Sequence, residues 1–248
     1  MKKHSIWVGF FAFMTLSTFV QAQEKESHHY LSLEDVASSL ELLPPPPAVN
    51  SILFLNDEAQ YRWGKMQRPT PRGDQAVSDA RLYGDGVAKS FSEAFGMTIS
   101  KEGTPEIYKL ISHFREDAGD YATRSAKEHY MRMRPFTFYN EDTCNTEQQQ
   151  GLSTNGSYPS GHTAIGWATA LVLAEINVER QNEILKRGYE IGQSRVICGY
   201  HFQSDVDAGR LVASVVVARL HANKEFINQL NKAKAEFAKL SAQSGNRR

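Results

Sequence analysis

The chain has 248 residues, with 28 Lys and Arg balancing 28 Asp and Glu, so its formal net charge is zero. That length supports one good-sized domain with a real core. The balanced charge offers no basic face for nucleic acid.

The first residues differ in kind from the rest. Lys2 and Lys3 precede an apolar run from Ile6 to Val20, and Val20-Gln21-Ala22 supplies small or apolar residues at a cleavage point. This is the make-up of a secretory signal peptide cut after Ala22; the alternative, an uncleaved anchor, needs a longer run to cross a bilayer. Removing residues 1–22 takes away two lysines and no acid, which leaves a net charge of −2. No later stretch reaches bilayer length without charges, so the released chain has no membrane span to offer. The two cysteines, Cys144 and Cys198, form an even pair in an exported chain, which favours a disulfide over two separate buried thiols. Such a bridge closes a loop of about 55 residues, stabilises by roughly 4 kcal/mol in the chain-entropy picture, and ties the Arg195 segment to the loop before Pro159.

Residues 23–31 are polar and read as loose. Ser32-Leu33-Glu34-Asp35 has the form of a capping box and predicts a helix to about Leu43. Pro44 to Pro47 forces an extended segment, a stiff arm laid on the domain. Apolar spacing predicts helix over Ile52–Met66 and over Gln75–Phe95, the second broken in two by Gly84 and Gly86. Thr104-Pro105 predicts a helix start. A further helical pattern runs from about Asp117 to Met133, ended by Arg134-Pro135 because the residue before proline is pushed out of the helical region. Residues 136–158 read as loop. Thr163–Ile176 is apolar all round and therefore central and buried. Glu179–Ile197, Ser204–Leu220 and the amphipathic Lys224–Ser241 complete the helices. Strand signals are almost absent. The fold class is all-α, a helical bundle around two central helices. The division is a signal peptide over 1–22, an N-terminal arm with the Pro-rich segment over 23–50, and a single helical domain over 51–248.

Several polar residues stand out from this frame. Lys127 and Arg134 are seven apart, two turns of a helix, so both point the same way. Alone they would be a solvated face. Arg195 adds a third cation, and Pro159-Ser160-Gly161-His162 is a turn running into a helix N-terminus, where free N–H groups and the dipole favour an anion. Glycine at 161 lets that anion approach the backbone. A tetrahedral dianion with bidentate arginine contacts fits the set. His201 and Asp205 are four apart, so the carboxylate can fix the ring's tautomer and leave the other nitrogen basic, as a nucleophile needs. A lone His-x3-Asp is more often a satisfied core pair, and His162 alone says less.

In order, these pieces read K-x6-R-P, P-S-G-H and S-R-x5-H-x3-D. The combination resembles the signature of the acid phosphatase superfamily that also contains vanadium haloperoxidases and lipid phosphatases. Within it the chain resembles the bacterial class A non-specific acid phosphatases, from about Leu40 onward and including Pro44–Pro47 and the run Asn155–Asp207. The resemblance implies His201 as the nucleophile that becomes a phosphohistidine, Asp205 as its orienting partner and His162 as the general acid. It implies Lys127, Arg134, Ser160, Gly161 and Arg195 as the phosphate cradle. It implies no metal and no cofactor, since three cations stabilise the transferring group. Phosphate esters are then the substrates, inorganic phosphate and vanadate the inhibitors, the periplasm the location, and a homo-oligomer the state. Phe202 departs from the tryptophan of many relatives, which affects pocket shape rather than chemistry. An apyrase-like enzyme cutting nucleoside di- and triphosphates is the near rival. A vanadate-dependent haloperoxidase is the rival by chemistry. A non-catalytic phosphate-binding protein would need the cradle but neither His162 nor the His201–Asp205 pair. The lack of later spans argues against a membrane-embedded lipid phosphatase.

Overall fold

The computed structural model describes residues 29–245. The expected leader, 1–22, lies outside them. Among the described residues every regular element is helical: α1 (Ser39–Leu42), α2 (Ile52–Gln67), α3 (Pro71–Asp79), α4 (Gly86–Phe95), α5 (Pro105–His113), α6 (Ala122–Tyr130), α7 (Pro135–Phe138), α8 (Gln149–Ser153), α9 (Gly161–Ile176), α10 (Gln181–Ile197), α11 (Gln203–Leu220) and α12 (Lys224–Gly245). A π-helical turn, Asp117–Tyr121, leads into α6. No helix among the described residues is long and apolar enough to cross a membrane.

Helix α9 is the centre. Its buried residues, among them Ala164, Ile165, Ala168, Ala170, Val172 and Leu173, face every side, as its all-apolar sequence requires. Its main partners are α10 and α11, while α12 packs on α5 and the π-turn packs on α9. Gly188 of α10 lets the central pair close: a Cβ there would sit 2.3 Å from the Ala170 Cβ. Truncating a side chain such as Leu173, fully buried here, costs about 2–5 kcal/mol.

Four local expectations need correction. Residues 29–31 are pinned rather than loose: the N–H groups of Tyr30 (2.9 Å) and Leu31 (3.3 Å) donate to Asp117 Oδ2, and His29 Nδ1 lies 2.9 Å from Asp117 Oδ1. Ser32 and Asp35 do bond, with Ser32 N at 3.0 Å and Oγ at 2.8 Å from Asp35 Oδ2, but they close a turn and not a helix. Arg219 holds the other carboxylate oxygen (2.6 Å), and only Ser39–Leu42 becomes helical, capped by Ser38. The predicted helix over Asp117–Met133 stops at Tyr130, where Met131 turns left-handed (φ 39°). The Arg132 carbonyl is thereby freed to accept from Ser157 N (2.8 Å), and Phe136 N finds Gly199 O (3.2 Å). Lys127 and Arg134 are therefore not on one helix; Arg134 is extended (φ −79°, ψ 152°), as its following proline demands. Residues 136–158 are not all loop, since they hold most of α7, all of α8 and a 3₁₀ turn at Thr146–Gln148.

Candidate active site

The early end of α6 builds the pocket. It lets residues 131–134 run back beside Ser157 and carry Arg134 to the start of α11, where His201 and Asp205 sit. His201 is buried. Its Nε2 lies 3.0 Å from an Arg134 terminal nitrogen, NH1. Arginine has only donors, so Nε2 must present its lone pair and the ring proton must be on Nδ1. That nitrogen lies 3.3 Å from Ser157 Oγ and 3.5 Å from Asp205 Oδ2. The second distance is at the outer limit of a hydrogen bond, so Ser157, which itself donates to Asp205 Oδ2 (2.5 Å), is the nearer partner. Phe202 N also donates to that oxygen (2.8 Å). Burial first, and then the charges of Arg134, Arg195 and Lys127, push the His201 pKa well below its ordinary value. The ring is therefore held neutral.

The three predicted cations converge but are not alike. Every N–H of Arg134 is in use: Nε toward the carbonyls of Leu152 (2.9 Å) and Asn155 (3.0 Å), NH1 toward Tyr200 O (3.1 Å) and His201, NH2 toward Asn155 Oδ1 and Gly156 O (both 3.3 Å). Arg195 is the reverse. It is 1% exposed, its guanidinium stacks 4.0 Å over the Tyr200 ring, and none of its three nitrogens has a hydrogen-bond partner among the described residues. Burial lowers its pKa to about 9 and that of Arg134 to about 10. Lys127 donates to the Pro159 carbonyl. Burial, and next the Arg134 charge, bring its pKa down to about 7.

Ser160 caps α9. Its Oγ accepts from Thr163 N (3.3 Å) and Thr163 Oγ1 (2.9 Å), which leaves its own proton to donate. The Ser160 carbonyl takes the Ala164 N–H, so the helix start has the N–H groups of Gly161 and His162 left for a ligand. The need for glycine at 161 has a nearer cause than an approaching anion. A Cβ there would lie 2.5 Å from the Gly119 carbonyl of the π-turn, so any other residue would push α9 off that turn. His162 Nε2 lies 3.2 Å from the Ala80 carbonyl and must carry a proton there, leaving Nδ1 for proton transfer. Burial and then Arg195 hold its pKa well below 6.5. All eight residues marked in the sequence thus meet at one place.

The sequence reading missed the groups behind them. Arg132 donates to Asp205 Oδ1 (2.5 Å) and Ser204 Oγ (2.7 Å) through one nitrogen and to Asp57 Oδ2 (2.8 Å) through the other. Asp57 also accepts from Ser204 N (2.8 Å) and Ser204 Oγ (2.6 Å). A signal was present, since Phe54, Asp57, Tyr61 and Gly64 share the buried face of α2 and an acid there needs a cation. Asp79 is a second such acid: it binds Arg187 (3.0 Å) and Ser194 Oγ (2.6 Å), fixing α10 next to Arg195. Cys144 and Cys198 are joined in a disulfide, and Cys144 N donates to Cys198 O (3.1 Å). Among the described residues no group of three or more His, Cys, Asp or Glu is placed to hold a metal ion.

Comparison with known proteins gives the family of the chain. Residues 118–227, which contain all three motifs, match the model of the PAP2 superfamily. The chain is 61% identical over 235 residues to a non-specific acid phosphatase of Providencia stuartii, covering 92% of this chain and 95% of that protein. It is 41% identical to a non-specific acid phosphatase of Salmonella typhimurium (94% and 92% covered) and 34% identical to an acid phosphatase of Zymomonas mobilis (90% and 84% covered). With the geometry of the pocket and likeness along almost its whole length, the chain belongs to the PAP2 superfamily, among the bacterial non-specific acid phosphatases.

Proposed function

We propose that the protein hydrolyses phosphate monoesters by double displacement through a phosphohistidine on His201, without a metal. The observation that carries this is the tautomer imposed on His201, with Nδ1–H turned toward Ser157 and Asp205 and a lone pair on Nε2. In the first step Nε2 attacks phosphorus, the ester P–O bond breaks, and His162, protonated once the dianion sits beside it, gives its Nδ1 proton to the leaving oxygen. In the second step His162 takes a proton from water, the hydroxide oxygen attacks phosphorus and the P–N bond breaks. The ring then regains its lone pair and faces Arg134 again. Arg195, Lys127, the Ser160 hydroxyl and the helix N–H groups take the equatorial oxygens. The unpartnered Arg195 supports an oxyanion as the ligand, so phosphate and vanadate should inhibit competitively.

The same cradle supports a preference for acid. Lys127 loses its charge as pH rises through about 7, so the site holds fewer positive charges in alkali. Export to the periplasm follows from the Lys2–Ala22 leader pattern and accords with the disulfide. A stereochemical run with an isotopically chiral phosphate ester and an alcohol acceptor tests the reaction. Two inversions give net retention; net inversion would mean direct attack and remove His201 from its role. A phosphate-release panel of aryl phosphate, nucleoside monophosphate, ATP and pyrophosphate, with and without chelator, tests monoesters against polyphosphates and metal independence together.

A further inference from the structure

Behind the nucleophile lies a chain of buried charges that takes no part in holding phosphate. Asp205 has two oxygens with separate tasks. Oδ2 serves the His201 side, through Ser157 and the Phe202 N–H. Oδ1 is bound by Arg132 at 2.5 Å. The other terminal nitrogen of Arg132 goes to Asp57, and Ser204 bonds both Asp57 and Arg132. Arg132 Cζ also lies over the Phe202 ring, 4.5 Å from its centroid. Asp57 and Asp205 are fully buried, so each charge here depends on its partner.

We propose that Asp57 is a positioning residue for the reaction: it balances Arg132, and through Arg132 sets how much of the Asp205 charge is left to support His201. Charge balance around the ring sets this role. Attack by Nε2 turns the ring into a phosphorylated imidazolium whose Nδ1–H points at Ser157 and Asp205. A full carboxylate charge there stabilises that cation. Arg132 alone would cancel most of it. With Asp57 on its far side, the trio Asp57, Arg132 and Asp205 carries a net −1, and the negative charge stays available at Asp205. The geometry serves the same end. Arg132 reaches both acids with separate nitrogens, so the fork of the guanidinium fixes the plane of Asp205 from α2, across the Ser204 turn. The remaining groups facing His201 are all cationic or neutral: Arg134, Arg195, Lys127 and His162. The trio is thus the negative counterweight on which the ring relies.

This inference rests on the phosphohistidine reading, and three variants of the full chain separate the two. Asp57→Asn removes one negative charge with little change of shape. His201 should become harder to protonate, so the acid limb of kcat/KM should move to lower pH, by on the order of half to one unit for one nearby buried charge. The phosphoenzyme trapped by an alkaline denaturing quench in the steady state should fall, because its cation has lost support. Asp57→Asn/Arg132→Met removes one charge of each sign and restores the net −1. Its acid limb should return to the wild-type position, although turnover stays lower for want of the guanidinium fork. Arg132→Lys keeps the charge and loses the fork, so kcat should fall about tenfold with the limb unmoved. A merely structural role predicts losses that accumulate along the series while the limb stays still. That result, or a limb that fails to return in the double variant, overturns the proposal while leaving phosphohistidine chemistry intact. If Asp57→Asn does not fold, the double variant and Arg132→Lys carry the test through their trapped phosphoenzyme. The proposal then requires more label in the double variant, relative to its turnover, than an uncoupled loss allows, and equal ratios overturn it. Absence of label on wild-type His201 overturns both readings together.

Discussion

The two sides of the pocket solve the burial of charge in opposite ways. On the His201 side every charge is answered. Arg134 spends all its donors on carbonyls and on His201, and Asp205 is held by Ser157, Phe202 N–H and Arg132. On the α9 side Arg195 is as deeply buried and none of its nitrogens has a partner among the described residues. A buried cation without a partner costs stability that a fold does not need to give up. The paired side holds one geometry, which a nucleophile needs. The unpaired side keeps its donors for a ligand, which is what binding a dianion from water needs.

The largest effects should come from breaking the paired side. His201→Ala should cost at least about 10⁴-fold in turnover, as removal of a nucleophile does, with the fold intact. An alkaline denaturing quench of labelled substrate should trap phosphate on the wild type and none on the variant; label on the variant would sink the assignment. Across the pocket, on α9, His162→Ala should lose about 10²–10⁴-fold on esters of alcohols, the usual range for general acid catalysis, and much less on aryl phosphates, whose leaving groups need no proton. Equal losses across leaving groups of widely different pKa would mean that His162 only binds phosphate.

The comparison can be sharpened by measuring stability beside activity. Arg195→Met should lower kcat/KM by about 10²–10³-fold, as loss of one oxyanion donor does. The free protein should nevertheless become more stable, by about 1–3 kcal/mol, because an unmet buried guanidinium is gone. Arg132→Met on the paired side should have the opposite sign and destabilise by about 3–5 kcal/mol. Added phosphate should raise the Tm of the wild type and fail to raise that of Arg195→Met. Thermal melts of the two variants, with and without phosphate, decide the point. A loss of stability in Arg195→Met would show that the stacking on Tyr200 outweighs the unmet charge.

What the sequence conveyed and what it hid follow the same division. The helices α9, α10, α11 and α12 were legible because their apolar spacing reports directly on burial, whereas α2 was legible by its spacing although Ile52, Leu53, Leu55 and Met66 stay exposed. The residues that touch the reacting group were legible through motifs. Missed were the places where a tertiary contact outbids local preference. Ser32–Asp35 obeys capping chemistry but is drawn off by Arg219, and α6 ends early because Arg132 and Phe136 bond to loops 25 and 63 residues further along the chain. The supporting charges, Asp57 and Arg132, were hidden because each looks like an ordinary surface residue until its partner is known. Only the buried face shared by Phe54, Asp57 and Tyr61 hinted at one of them.

The smallest predicted effect tests the third cation. Lys127 is brought down from 10.5 to about 7 by burial and by Arg134. Below about pH 7 the native cradle carries this charge; above it the charge is lost. The sign for stability runs the other way. Between about 7 and 10.5 the unfolded chain holds a proton that the native state has released, so this lysine contributes stability that grows as pH rises through that window. Affinity for phosphate should therefore fall over the very range in which this group ceases to destabilise the free protein. The substrate does not cause the fall, since a phosphate monoester completes its ionisation near pH 6. His162, held well below 6.5 in the free site, must gain a proton when the dianion binds and adds the same fall to both proteins, so the comparison with Lys127→Arg isolates the lysine. Lys127→Arg keeps its charge in alkali, so its kcat/KM should decline less between pH 6 and pH 8, retaining up to about tenfold more of its acid value than the wild type does, as expected one unit above a titrating group. Wild-type phosphate binding near pH 8 should take up a proton, which calorimetry in buffers of different ionisation enthalpy reads directly, and the Arg variant should take up less. An unchanged alkaline limb in Lys127→Arg would assign the acid preference to another group and leave Lys127 as a spacer against the Pro159 carbonyl.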